Sequence, residues 1–272
     1  MNRPLHTRAA WMFLASATAP MFLACTTAPG TTDATQLATP VLSHTTVLSQ
    51  LDNPWDMAFL PDGTMFFTKK CNGLSVRQAG GAVVKLLGMK DSKGYSASAG
   101  DLFCEGQAGM AGVAVDPGFA SNRFICVYST SSLTAPGTNR VMRLKVNDAG
   151  SAVSDRTDIV TDIPYKPVAT DHPFGGPGAH NGGRIRFSPG DGFLYVTTGD
   201  THNGEVPQSP TRIGGKVLRI DGNGKAAPGN GAPAGFDSRI CAYEFRNPQG
   251  ITFGQVPISR SPPKTDRGTA MR

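Results

Sequence analysis

The chain has 272 residues, of which 39% are hydrophobic and 17% charged, a globular balance that excludes a disordered polypeptide. The formal net charge of +6 sits at the two ends: residues 1–24 hold Arg3 and Arg8, and residues 255–272 hold four cations against Asp266, which leaves +1 on residues 25–254. A body that close to neutral has no basic footprint for nucleic acid.

At the amino terminus, Arg3 and Arg8 precede WMFLASATAPMFLAC. This apolar stretch is interrupted by Pro20 and falls short of the roughly 20 residues a membrane span needs. It ends in Phe22-Leu23-Ala24-Cys25, and small or apolar residues directly before a cysteine resemble a bacterial lipoprotein signal. Residues 1–25 are therefore expected to be an export signal. Cys25 is the expected lipidation site of a periplasmic or membrane-anchored protein, and an ordinary secretory signal cut nearby is the alternative. Residues 26–45 read as a flexible tether. Beyond Cys25 stand Cys71, Cys104, Cys126 and Cys241. In an oxidising compartment they can form two disulfides by three pairings, although Cys126, inside an apolar run from Phe124 to Tyr128, suits a buried thiol as well.

With 33 glycines and 21 prolines, the rest of the chain favours short strands joined by turns, and a pattern repeats along it. WDMAFLPDGTMFFTKK from Trp55, GVAVDPGFASNRFICVYST from Gly112 and RIRFSPGDGFLYVTTGD from Arg184 each give an alternating strand, a proline, a turn and a second strand rich in aromatic and β-branched residues. Pro61, Pro117 and Pro189 mark the register, and Asp62-Gly63 and Asp191-Gly192 are hairpin signals. A fourth copy starts at Asn247 and fails where its proline is due, at Gln255. Between the copies, SVRQ (75–78), VMRLKV (141–146) and KVLRID (216–221) alternate as outer strands do. Units of several strands beginning near residues 57, 113, 185 and 251 predict an all-β fold, the β-propeller. Residues 46–254 supply about three and a half blades at roughly 60 residues each.

In a propeller, strand ends from several blades meet at one mouth of the central channel. His180, Asp200, Gln107 and Arg246 lie at comparable edges of their repeats, so a base, a carboxylate, an amide and a guanidinium are expected to converge there. Gly178, Gly182 and Gly183 crowd His180, which suits either a tight turn or close approach to something flat. In Arg246-Asn247-Pro248-Gln249-Gly250 a fixed cation and an amide precede a proline-set turn. Other motifs are weaker. Asp221-Gly222-Asn223-Gly224 lacks the glutamate of a calcium loop, and Gly214-Gly215-Lys216-Val217 lacks the Ser/Thr of a phosphate loop. His172 and His202 have no ligand partner at helical spacing.

Four blocks in order, GQAGMAGVAVDPGF, HNGGRIRFSPGDGFLYVTTGD, GGKVLRIDGNGK and FRNPQGITF, resemble the soluble quinoprotein glucose dehydrogenases, also called glucose/sorbosone or aldose sugar dehydrogenases. LDNPWDMAFLPDG resembles the opening blade of that family, and the likeness covers about residues 46–254. The resemblance implies a six-bladed propeller that binds pyrroloquinoline quinone (PQQ) and calcium. Such a protein oxidises an aldose sugar at its anomeric carbon to the lactone and passes electrons to an external acceptor. It also implies that His180 is the catalytic base, Gln107 a substrate-binding residue, and Asp200 an active-site carboxylate beside base and sugar. Arg246 and Asn247 match the quinone-contacting pair, with Arg246 placed to stabilise charge on the quinone oxygen. Ala179 departs from the aspartate that precedes the histidine in glucose-oxidising members. The family's calcium ligands lie beyond the FRNPQG block, where this chain continues as QVPISRSPPKTDRGTAMR (255–272), a tail with no strand period. No metal ligand is therefore assigned, and the expected fold is the family propeller truncated to about four blades. Two other readings compete: a non-enzymatic propeller that binds carbohydrate or protein, and a metal-dependent lactonase, for which too few acids fall at strand ends.

Overall fold

Strand alternation and turn residues produce three mainly antiparallel sheets in chain order, seen in a computed structural model that describes residues 41–167 and 175–254. The expected export signal with Cys25, most of the tether, His172 and the 255–272 tail lie outside the described residues. Residues 41–47 belong to a separate unit and contain no strand or helix; everything below concerns the unit that starts at Leu48.

The first sheet runs β1 (Pro54–Phe59), β2 (Met65–Lys69), β3 (Gly73–Arg77) and β4 (Val83–Gly88), with the two-residue β5 (Ala97–Ser98) added parallel to β4. The second is β6 (Met110–Val115), β7 (Phe124–Ser131), β8 (Thr138–Val146) and β9 (Val153–Pro164), with a single helical turn, α1 (Phe119–Asn122), between β6 and β7. The third is β10 (Ile185–Phe187), β11 (Leu194–Thr197), β12 (Val217–Ile220) and β13 (Ile240–Ala242). Both anticipated hairpins form. Asp62 accepts the Thr64 N–H at 2.8 Å beside Gly63 at φ +86°, and Asp191 accepts the Phe193 N–H at 3.1 Å beside Gly192 at φ +72°.

The middle sheet is buried on both faces, and its residue parity explains why. Ile125 and Val127 of β7, with Met142 and Leu144 of β8, enter the core shared with the first sheet through Phe66, Leu74 and Val76. Their neighbours Cys126, Tyr128 and Val141 point the other way, into the core shared with Ile185, Val196 and Leu218 of the third sheet. A bulge between Met110 and Val113 in β6 puts those two residues on one face and Ala111 and Ala114 on the other. Sequential antiparallel meanders stacked face to face are the blades of a β-propeller.

The first strands of the three sheets meet at Asp56, which sequence reading passed over as part of a hairpin. Its carboxylate accepts N–H groups of Met57 (2.8 Å) and Val113 (3.0 Å), receives two bonds from Arg186 (both 2.7 Å) and is paired with Arg184. One acid thus joins β1, β6 and β10.

The fourth copy forms no strand: residues 247–254 have no ladder pairing, so the described residues make three sheets. Their bonds go elsewhere, the Gln249 carbonyl to Arg184 Nε at 3.0 Å and the Phe253 ring edge-on to Tyr195. Of the two disulfides considered, one forms, Cys71–Cys104; Cys126 is a fully buried thiol whose ionisation burial pushes up to about 12, and Cys241 is also reduced.

Candidate functional site

The loop before β10 is built from left-handed residues. Gly175, Gly176, Gly178, Gly182 and Gly183 all have positive φ, and so does His180 at +52°. The spaces a side chain would need are filled by protein. A Cβ on Gly178 would lie 2.3 Å from the Ala108 nitrogen, one on Gly182 2.6 Å from Thr198 Cα, and one on Gly199 only 1.6 Å from the His180 carbonyl oxygen. The glycines are therefore there for a tight turn that threads between the Glu105–Gly109 loop and the end of β11, and they hold His180 by its main chain.

His180 is 8% exposed, and its Nδ1 lies 2.6 Å from Asp200 Oδ1. A carboxylate only accepts, so Nδ1 is the donor in this contact. Asp200 follows β11 and is itself 5% exposed; the same oxygen also accepts the His202 N–H at 2.7 Å. Gln107 reaches over from the preceding blade, where its Oε1 accepts the His180 N–H at 3.2 Å. Asn247 Oδ1 accepts the Gly182 N–H at 2.9 Å, and the Arg246 carbonyl accepts the Asp200 N–H at the same distance. His180, Asp200 and Arg246 line one cavity of about 600 Å³, within the usual range for small-molecule sites. All five residues singled out from sequence are thus brought together, Gln107 and Asn247 through the backbone of the His180 loop.

Sequence reading missed other members of the site. His202 lies with its ring centroid 4.4 Å from that of His180 and lines the same cavity, as does Glu244. Helical ligand spacing was the wrong test for His202, because a left-handed turn and not a helix returns it to His180. Asn181 anchors the loop from below: its side-chain oxygen accepts from Asn139 at 2.8 Å and its carbonyl from the Tyr128 hydroxyl at 2.7 Å. Burial raises the Tyr128 hydroxyl well above its ordinary value, which keeps it a neutral donor.

Strain gathers here as well. Among the described residues nine non-glycines have positive φ, and His180, Thr201, His202 and Glu244 are four of them. A β-branched threonine at φ +57° is held there only by its surroundings. The Asp221–Gly224 segment, by contrast, is a plain turn. Asp221 Oδ1 accepts the N–H groups of Asn223 and Lys225, and Arg143 donates to the Gly222 carbonyl. Among the described residues no three His, Cys, Asp or Glu side chains gather to hold a metal ion.

Comparison with known proteins identifies the family to which the chain is similar. The family model described as Glucose / Sorbosone dehydrogenase matches residues 51–257. Aldose sugar dehydrogenase YliI of Escherichia coli is 31% identical over 223 residues, covering 79% of this chain and 54% of that protein. A putative oxidoreductase (glucose dehydrogenase) from Thermus thermophilus superposes with a TM-score of 0.60 at 32% identity, covering 75% of this chain and 55% of that one. The PQQ-bound form of aldose sugar dehydrogenase from Streptomyces coelicolor gives 0.58 at 27%, with coverages of 75% and 54%. The chain spans about half the length of the curated relatives it matches.

Proposed function

This chain belongs to the glucose/sorbosone dehydrogenase family, and on that premise we propose that it is a PQQ-dependent aldose dehydrogenase in which His180 is the general base. The observation that carries this reading is the 2.6 Å contact between His180 Nδ1 and Asp200 Oδ1 in the wall of a cavity that Arg246 also lines. The residues suit a flat anionic quinone. The Arg246 guanidinium makes no hydrogen bond or ion pair with any described residue, and Asn247, whose oxygen is engaged by Gly182, keeps its NH₂ for a ligand carbonyl or carboxylate.

When bound, PQQ would supply the two-electron acceptor for oxidation of the sugar at C1 to the lactone, leaving the C1 hydroxyl proton to be taken by the protein. His180 Nε2 takes that proton. Asp200 keeps the ring in the Nδ1–H tautomer and stabilises the imidazolium that results. Arg246 presents a fixed cation to anionic oxygen in the cavity. Gln107 holds the His180 main chain through Oε1 and has its NH₂ for a sugar hydroxyl. Calcium is carried in the proposal as the family's second group; the described residues offer it no acidic cluster, and no step is assigned to it.

Export through residues 1–25, with lipid attachment at Cys25, completes the proposal; it matches a chain with a Cys71–Cys104 disulfide, which an oxidising compartment preserves. Reconstitution with PQQ and a calcium salt, followed by an aldose and a redox dye as external acceptor, tests the reading. Dye reduction that requires PQQ supports it. Saturable sugar binding without quinone uptake would favour the non-enzymatic carbohydrate-binding propeller.

A further inference from the structure

Lys216 opens the segment that leads into β12, and the chemistry proposed above gives it no task. It is 0% exposed. Its Nζ donates to the carbonyls of Val206 (2.8 Å), Pro207 (2.7 Å) and Gly214 (3.1 Å), so three acceptors meet the three protons of an ammonium. Lysines this deeply buried usually have an acidic partner; this one has carbonyls from a single loop.

That loop forms one wall of the cavity through Pro207 and Gln208, and the Arg246 segment hangs from it. The Pro207 carbonyl also accepts the Glu244 N–H at 3.2 Å, and the Gly215 carbonyl accepts the Phe245 N–H at 3.0 Å. Gly215 sits so close that an added Cβ would lie 2.4 Å from the Phe245 oxygen. The next residue, Arg246, takes the Asp200 N–H on its own carbonyl. The main chain of Lys216 exchanges bonds with Thr198, two residues before Asp200. Hydrogen bonds joined by short main-chain steps therefore link the ammonium to the Arg246 segment and to the main chain of Asp200.

We propose that Lys216 is a positioning residue whose buried ammonium pins the carbonyls of Val206, Pro207 and Gly214 and so fixes the wall that sets Arg246 and Asp200. That the wall serves a quinone site rests on the function proposed above; the pin does not. The ionisable groups of the elements packed around it are His202, Glu205 and Arg212 on the loop, Asp200 after β11, and Tyr243, Glu244 and Arg246 after β13. Lys216 makes no ion pair with any of them, and burial alone pushes its ammonium down to about 8.

Amide hydrogen exchange reads this directly at three reporters, the N–H groups of Asp200, Glu244 and Phe245, with amides of β3 as controls. In Lys216→Met, which keeps length and loses every donor, the reporters should exchange at least about 10-fold faster while β3 is unchanged. Unchanged reporters in the variant, or an equal loss of protection in β3, would overturn the pin. Should the variant not fold, the wild-type chain decides: the three reporters should share one protection factor within about 3-fold, as amides released by a single opening do, and reporters that open independently overturn the pin. PQQ titration separates the two claims: a wild-type chain that takes up no quinone sinks the functional reading while the exchange result still judges Lys216.

Discussion

Asp56→Asn removes the charge from the acid that joins the first strands of all three sheets. The Asp56 side chain is 2% exposed, and those of its partners Arg184 and Arg186 are 21% and 29% exposed. Deleting one partner of a buried ion pair costs about 3–5 kcal/mol. Both guanidiniums here can turn toward water, which places the loss near the lower end, about 3 kcal/mol. Asparagine keeps one acceptor oxygen for the N–H groups of Met57 and Val113 but turns an NH₂ toward an arginine, which adds about 1 kcal/mol. A total of roughly 3–4 kcal/mol corresponds to a fall in Tm of about 10 °C for a chain of this size. Urea and thermal unfolding followed by far-UV circular dichroism measure it. Arg186→Met, which leaves Asp56 its bond to Arg184, should cost less than half as much. A loss below about 1 kcal/mol for Asp56→Asn would mean that this carboxylate is effectively solvated, and the account of how the blades are joined would be wrong.

Gly199→Ala places a methyl 1.6 Å from the His180 carbonyl and should abolish folding or activity, whereas Gly192→Ala, at φ +72° with nothing nearby, should cost only about 1 kcal/mol; equal effects in parallel unfolding curves would contradict the packing described. Reducing Cys71–Cys104, whose residues are 33 apart, should lower stability by about 3–4 kcal/mol and loosen the loop that carries Gln107, read as a lower denaturant midpoint in dithiothreitol. The hydrogen bond from Arg239 holds the Asp237 carboxyl below its ordinary 3.8, so its contribution is present above that value and lost as pH falls through the lowered one. Asp237→Asn should therefore be less stable near pH 6 and show a shallower acid-side decline in a Tm-against-pH series; an unchanged slope would refute the assignment.

Much of the fold was legible because hairpins advertise themselves locally. Pro61-Asp62-Gly63 and Asp191-Gly192 fix turns, and alternation fixes which face of each strand is buried. The fourth copy misled because NPQGITF carries strand-like residues whose bonds are claimed from a distance: Asn247 by Gly182, Gln249 by Arg184, Phe253 by Tyr195. The pairing of Cys71 with Cys104 depends on where the turn after β2 meets the Glu105–Gly109 loop, which counting cysteines does not reveal. At the site, the His180–Asp200 pair could be read from equivalent positions at strand ends. His202 and Glu244 could not, since each reaches the cavity through a left-handed turn made by a non-glycine residue. Asp56 was hidden for a similar reason, its arginine partners lying more than 120 residues away in sequence.

The most direct test follows the absorbance of PQQ bound to the reconstituted chain after a single addition of an aldose, in the wild type and in His180→Ala. The account predicts quinone affinity within a few-fold in the two proteins and reduction of the bound quinone slower by a factor of about 100 or more in the variant. Equal reduction rates at equal PQQ occupancy would show that the proton leaves the sugar by some other route and that the imidazole held by Asp200 is not the base.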